Sequence, residues 1–344
     1  MDMRPTFLLA LAAVMAGLPA AAQDHDGHRV VIREHARAAA DAYQGRNRGP
    51  EQTERLSRKI RIGRDGRVSI SNVAGDITVT GGTGDEVTIE AVKRTRGDKS
   101  QLARVTIDVD ERPGRVEVRT EYERNWSDRS SEVSVDYTIA VPSSAAIDVK
   151  SISGTVKLSN VQGAVRAESV SGDVITASTP KLELAKSVSG DVSVGGVTTD
   201  GDLSATSVSG SVSAKGLKAR GLDLGSVSGN VTIIDATCDR LDGKTVSGHI
   251  EYAGSIVKAG RYNINTHSGG IRLTLSGSTG FELTANTFSG NVRSDLPITI
   301  GGDSGRRTDR RRFGPGRSIR GTFGDGSATL IVRTFSGDIV IEKR

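Results

Sequence analysis

The chain has 344 residues, with 46 Lys and Arg against 41 Asp and Glu, a formal net charge of +5. Apolar residues make up 35% and there are 42 glycines, which together fall in the ordinary globular range and exclude wholesale disorder. One Trp, five Tyr and six Phe are too few for a core of large rings or a sugar cleft paved with them, and the single Cys238 excludes an internal disulfide and any multi-cysteine metal site.

Residues 1–22 read as a secretory signal peptide. Met1-Asp2-Met3-Arg4 precedes an apolar run from Phe7 to Leu18, and Ala20-Ala21-Ala22 offers a cleavage site after Ala22. The run is about a dozen residues long, short of the ~20 that span a bilayer. No cysteine follows the cleavage site, so the sequence predicts export to the periplasm or cell surface with neither a transmembrane segment nor a lipid anchor. Cleavage would leave Gln23-Asp24-His25, whose amine, amides and imidazole could hold Cu(II) in a square plane, making His25 a candidate metal ligand. Residues 23–60 are rich in Ala, Arg and Gly and read as a flexible tether.

Residues 61–150 contain Asn72-Val73-Ala74-Gly75-Asp76-Ile77, an early copy of a motif that dominates the rest of the chain. They also alternate at Val87/Ile89, Val105/Ile107/Val109, Val116/Val118 and Val133/Val135/Tyr137/Ile139/Val141, with a turn at Arg112-Pro113-Gly114. This predicts a first coil and an antiparallel cap.

In residues 151–344 one phrase recurs. Ser151-Ile152-Ser153-Gly154 returns at Ser169, Ser187, Ser207, Ser226, Thr245, Thr266, Thr287 and Thr334, its glycines 18, 18, 20, 19, 19, 21, 21 and 47 residues apart. A coil of about 20 residues cannot bury an apolar face alone, but stacked coils can. The expected fold is therefore all-β, a parallel β-solenoid whose coils pair at about 4.8 Å. A β-sandwich would need turn chemistry that varies along the chain.

Parity within Ser169-Val170-Ser171-Gly172-Asp173-Val174 puts Val170, Gly172 and Val174 on the buried side and Ser169, Ser171 and Asp173 outside. The corner then falls at junctions such as Lys150-Ser151 and Glu168-Ser169, and the same pattern turns His267 inward. Cys238 is expected near a turn. A Gly/Arg-rich segment at about 295–325 reads as a protruding loop, and the charged ending Ile339-Val340-Ile341-Glu342-Lys343-Arg344 as the blunted outer edge of the stack.

Recurrent Ser-x-Ser-Gly-Asp/Asn-Val/Ile strands behind a signal peptide, the opening Asn72-Val73-Ala74-Gly75-Asp76-Ile77-Thr78-Val79, and Val141-Pro142 entering the first full repeat resemble the bacterial "putative-adhesin" family of β-strand-repeat proteins, a domain of unknown function. The resemblance spans about residues 60–344 and implies a β-solenoid in the cell envelope. It supplies no catalytic residues.

Three features could carry chemistry. Outward Ser/Thr ladders could bind ice or glycans, or could satisfy turn backbone groups. Asp173 and Asp191 occupy the same position in adjacent coils, about 5 Å apart, and could share a cation. Residues 301–320 hold Arg306, Arg307, Arg310, Arg311, Arg312, Arg317 and Arg320 against Asp303 and Asp309, an excess equal to that of the whole chain. That segment is a candidate site for an anionic envelope polymer or surface glycan, with nucleic acid bound only non-specifically. No metalloprotease, nucleophile-elbow or P-loop motif occurs. The sequence thus reads as a non-enzymatic envelope interaction or adhesion module without a cofactor. The alternatives are a polysaccharide-active β-helix enzyme, which would need carboxylates and arginines converging in one groove, and a structural spacer.

Overall fold

Each phrase follows a short strand whose alternate residues are apolar, and in the computed structural model these strands stack in parallel and in register. Residues 50–123, 133–300 and 317–344 are described, and Glu51–Arg344 make one compact unit. Ser151 pairs with Ser169, Ser169 with Ser187, Ser207 with Ser226, Ser226 with Thr245, and Thr245 with Thr266. A second strand follows each phrase and stacks the same way: Val156, Val174, Val192, Val212, Val231 and Ile250 form one buried column. The core is a narrow file of Val, Ile, Leu and Ala, because a two-strand coil leaves no room for larger side chains in most layers.

The corner lies two residues further on than the sequence parity indicates. Ser169, Ser187 and Ser207 are buried, whereas Val170, Val188 and Val208 are exposed. The consecutive outward pair is therefore Val170-Ser171 and its equivalents. Hydrogen bonding explains the inversion: the hydroxyls of Ser187, Ser207, Ser226, Thr245, Thr266, Thr334 and Thr287 donate to the carbonyls of Gly172, Gly190, Gly210, Gly229, Gly248, Gly269 and Gly337 on the neighbouring coil, at 2.7–3.1 Å. A buried hydroxyl so satisfied costs little, and polarity alone does not send it outward. His267 is likewise exposed.

The first two hydroxyl positions differ. Ser151 Oγ and Ser169 Oγ are buried without a hydrogen-bond partner among the described residues. Ser207→Ala is accordingly expected to cost about 1 kcal/mol, while Ser169→Ala, losing no bond, should be neutral or stabilising. Urea unfolding midpoints of the two variants check this.

Stacking order departs from chain order at both ends. The strand Arg67–Ala74 lies between Arg115–Tyr122 and Ala146–Ser153. Near the C-terminus, Ala328–Ser336 enters between Arg261–Ser268 and Phe281–Ser289. The final strand Ile339–Lys343 is likewise interior, paired with Ile271–Ser276 and Val292–Ser294. It is not the outer edge: that side is covered by Arg317–Phe323, antiparallel to Phe281–Ser289 and paired in turn with Thr299–Ile300. Part of the expected loop at 295–325 is therefore strand. The phrase's 47-residue gap reflects this return into the stack.

At the other end, Gln52–Arg61 pairs antiparallel with Glu86–Thr95, which pairs antiparallel with Ser134–Pro142. Residues 52–60 thus belong to the sheet and not to a tether, because Leu56 and Ile60 pack against the core. Val105–Arg112 forms an antiparallel pair with Arg115–Tyr122. Residues 1–22, most of 23–50 and His25 lie outside the described residues.

Cys238 is buried within the strand Val231–Ser247 and not at a turn. Tyr262 Oη donates to its carbonyl at 2.7 Å. Burial pushes the Cys238 thiol up to about 12, and raises Tyr252 and Tyr262 as well. These groups bind protons more tightly folded than unfolded. Their contribution to stability is therefore complete below about pH 8.5, where an unfolded thiol begins to ionise, and is lost as pH rises towards 12. Alkaline denaturation should release Cys238 to a thiol reagent together with the loss of strand signal. Appreciable labelling of the native protein at pH 8 would contradict the burial.

Candidate functional site

The corner that turns Ser169 inward necessarily turns its neighbour outward, and in every coil that neighbour is apolar or aromatic. In stacking order the row reads Val73, Ile152, Val170, Val188, Val208, Val227, Val246, His267, Phe335 and Phe288. The Ile, Val and Phe members from Ile152 onward are 37–52% exposed, His267 is exposed too and Val73 is half-buried. It closes in a stack of three rings: His267 and Phe335 lie 5.0 Å apart at 8°, and Phe335 and Phe288 4.7 Å apart at 5°. Ten coils at about 4.8 Å make an apolar ridge about 43 Å long. The outward serines of the phrase, such as Ser171, Ser209 and Ser247, form a parallel exposed row beside it.

On its other side, over the first coils, the ridge borders a groove of about 350 Å³. One wall is Lys150, Glu168 and Lys186 and the other Ile152, Val170 and Val188, with Asn72, Thr120, Ser151 and Ser169 also in the lining. Asn72 takes the place of the phrase serine in its coil. Its Nδ2 donates to the carbonyl of Val135 at 2.8 Å, and its Oδ1 accepts from Thr120 Oγ1 at 2.8 Å. Thr120 in turn meets Tyr137 Oη at 2.7 Å. That network fixes one end of the groove, and burial raises Tyr137 to about 12, keeping the phenol neutral.

The residue after the phrase glycine has a structural task. Asp76 Oδ1 accepts the amide of Thr155, Asp173 Oδ1 that of Asp191, and Asp191 Oδ1 that of Ser211, each at 2.8 Å. The chain of acceptors continues through Ser211 Oγ, Asn230 Oδ1 and His249 Nδ1 to the amide of Gly270. Asp173 and Asp191 are thus adjacent, as their spacing predicts, but are linked through main-chain amides at the corner. Among the described residues no group of three or more His, Cys, Asp and Glu side chains is gathered to hold a metal.

Of the arginine segment, Arg306, Arg307, Arg310, Arg311 and Arg312 lie outside the described residues. Arg317 opens the antiparallel strand paired to Thr287, and Arg320, opposite Thr284, is exposed.

A second groove, of about 250 Å³, is lined by Arg67, Asp148, Arg166 and Glu183 among others, without an aromatic ring. Arg166 and Glu183 pair at 3.5 Å across exposed surface. Asp148 Oδ1 is buried with no hydrogen-bond partner among the described residues. Sequence reasoning missed both grooves. The ridge was legible as the phrase's second residue, always apolar or aromatic, but the assumed parity hid it.

No curated protein matches the chain. Its fold is similar to a crystal structure of a "putative adhesin" from Bacteroides fragilis, at 12% identity, a TM-score of 0.40 and coverage of 83% of this chain and 96% of that one. It is also similar to a "putative adhesin" from Parabacteroides distasonis, at 12% identity, a TM-score of 0.38 and coverage of 85% and 97%. A third similar structure, a "putative lipid binding protein" from the same species, gives 11%, 0.33, 84% and 97%. No helix among the described residues is long and apolar enough to cross a membrane. The repeated phrase, the stacked coils and a family model matching residues 66–342 agree: the chain belongs to the Toastrack DUF4097 family, a bacterial domain of unknown function.

Proposed function

We propose that the protein is a non-catalytic interaction module of the bacterial cell envelope, exported by its N-terminal signal, and that it works through the apolar ridge. The observation that carries this reading is the ridge itself. Soluble monomers rarely expose a contiguous apolar strip of this extent, and such strips mark interaction surfaces. The core does not require it, since the inward column is complete without the second phrase residue. The test is co-sedimentation of the purified protein with envelope fractions of its own bacterium. Val170→Asp/Val208→Asp/Val246→Asp should lower bound protein at least about tenfold, as for loss of a central apolar contact, without moving the unfolding midpoint. Unchanged binding refutes the reading.

The arginine segment is a second contact, suited to anionic envelope polymers because forked guanidiniums adapt to irregular phosphate arrays. Polyphosphate binding should fall steeply with salt and disappear on replacing Arg306, Arg307, Arg310, Arg311 and Arg312 by Ser. Salt-insensitive binding, or binding that survives the five substitutions, removes this contact from the proposal.

The groove around Asp148 favours a second reading, a polysaccharide-active enzyme, because carboxylates and arginines converge there. Release of reducing ends from envelope polysaccharides, lost in Asp148→Asn, would establish it and displace the non-catalytic reading.

A further inference from the structure

We propose that the ridge's partner is a second copy of this chain, docked with the two stacks parallel and each ridge lying in the groove beside the other. The inference rests on the preceding reading of the ridge as the working surface.

Three observations point to it. First, periodicity: an apolar row repeating every coil, bordered over its first coils by a groove of the same repeat, is matched by an object with the same rise, and another solenoid has it. The contact is then isologous, each copy giving ridge and groove to the other.

Second, charge. The wall beside the ridge carries Lys150, Lys186 and Arg333, all exposed. The row beyond the phrase glycine, on the ridge's far side, carries exposed Asp76, Asp173, Asp191 and Asp338. A two-fold axis along the stack places the basic row of one copy against the acidic row of the other, with Lys186 facing Asp191 and Arg333 facing Asp338 at equal coil height. An antiparallel arrangement would set basic row on basic row. Glu168, the acid within the basic row, faces Asp173 in this arrangement, and its charge is offset by Lys150 and Lys186, which flank it in register.

Third, area. The ridge with its two flanking rows is about 43 Å by about 16 Å, from strand and residue spacings. That is roughly 700 Å² per copy, close to the ~800 Å² per partner of a standard specific interface.

The test is light scattering and sedimentation equilibrium on the purified protein, with three variants. The wild type should be a dimer, Val170→Asp/Val208→Asp a monomer whose unfolding midpoint matches that of the wild type diluted until it too is monomeric, and Lys186→Glu a dimer weakened about tenfold. Ile152→Cys, near one end of the ridge, should form a disulfide-linked dimer on air oxidation, since parallel stacks bring residue 152 to its own copy; buried Cys238 does not compete. A monomeric wild type, a dimer that persists in Val170→Asp/Val208→Asp, or a dimer in which Ile152→Cys fails to cross-link overturns the proposal. Envelope co-sedimentation is read separately: a monomer whose envelope binding still depends on the ridge loses the second copy as partner and keeps the ridge as the working surface.

Discussion

Gly210→Ala is expected to lower stability by about 3 kcal/mol or more, the upper range for overpacking a rigid interior, and to unfold the central coils. A Cβ at this position would lie 2.1 Å from the carbonyl oxygen of Gly190. That oxygen is main chain and also accepts the Ser207 hydroxyl at 2.8 Å, so it cannot move aside without opening the ladder. The same approach, 2.1–2.3 Å, recurs from Gly172 to Gly248. The phrase glycine is thus required by the stacking of one corner on the next. Gly195→Ala is the control: its added Cβ would meet only the Thr176 carbonyl oxygen, at 3.6 Å, an ordinary contact. It should change stability by no more than about 0.5 kcal/mol, in either direction. Equal midpoints for the two variants would refute the glycine column.

The second large effect separates inside from outside. Val212 is fully buried, stacked in register between Val192 and Val231. Val212→Asp would bury a carboxylate without a partner and should cost about 4 kcal/mol or more. Val208, four residues earlier and 40% exposed, should accept Asp with a change of about 0.5 kcal/mol or less, measured at a protein concentration low enough to keep the wild type monomeric. Because each coil touches only its neighbours, Val212→Asp should also broaden the transition by uncoupling the two ends of the stack. Thermal and urea unfolding followed by circular dichroism report both effects. Comparable losses for the two variants would return the corner to the Glu168-Ser169 junction and its equivalents.

The periodic phrase made the stacked-coil architecture legible, because a repeat of about 20 residues with alternating apolar positions has few other ways to bury its face. Alternation at Val105/Ile107/Val109 and Val116/Val118, around Arg112-Pro113-Gly114, likewise exposed a hairpin. The adjacency of Asp173 and Asp191 followed from their common place in the phrase.

What alternation could not determine was the direction in which a Ser-Val pair faces. Both parities satisfy the pattern, and the choice rests on whether a buried hydroxyl finds an acceptor. Here the acceptor is a glycine carbonyl on another coil, visible only once the coils are stacked. Gln52–Arg61 was hidden for a related reason: its residues are mostly exposed and polar, and it becomes a strand only because Glu86–Thr95 offers an edge to pair with.

Stacking order was equally beyond the sequence. Each phrase is nearly interchangeable with the next, so the repeat specifies that coils stack but not that Ala328–Ser336 returns between two earlier ones. The grooves follow from that order and from side chains brought together across coils. Local alternation and turn chemistry, carried by residues near one another in the chain, determined the coil; hydrogen bonds and contacts between residues about 20 to 80 positions apart decided which face is inside, which coil lies next to which, and therefore where the ridge runs.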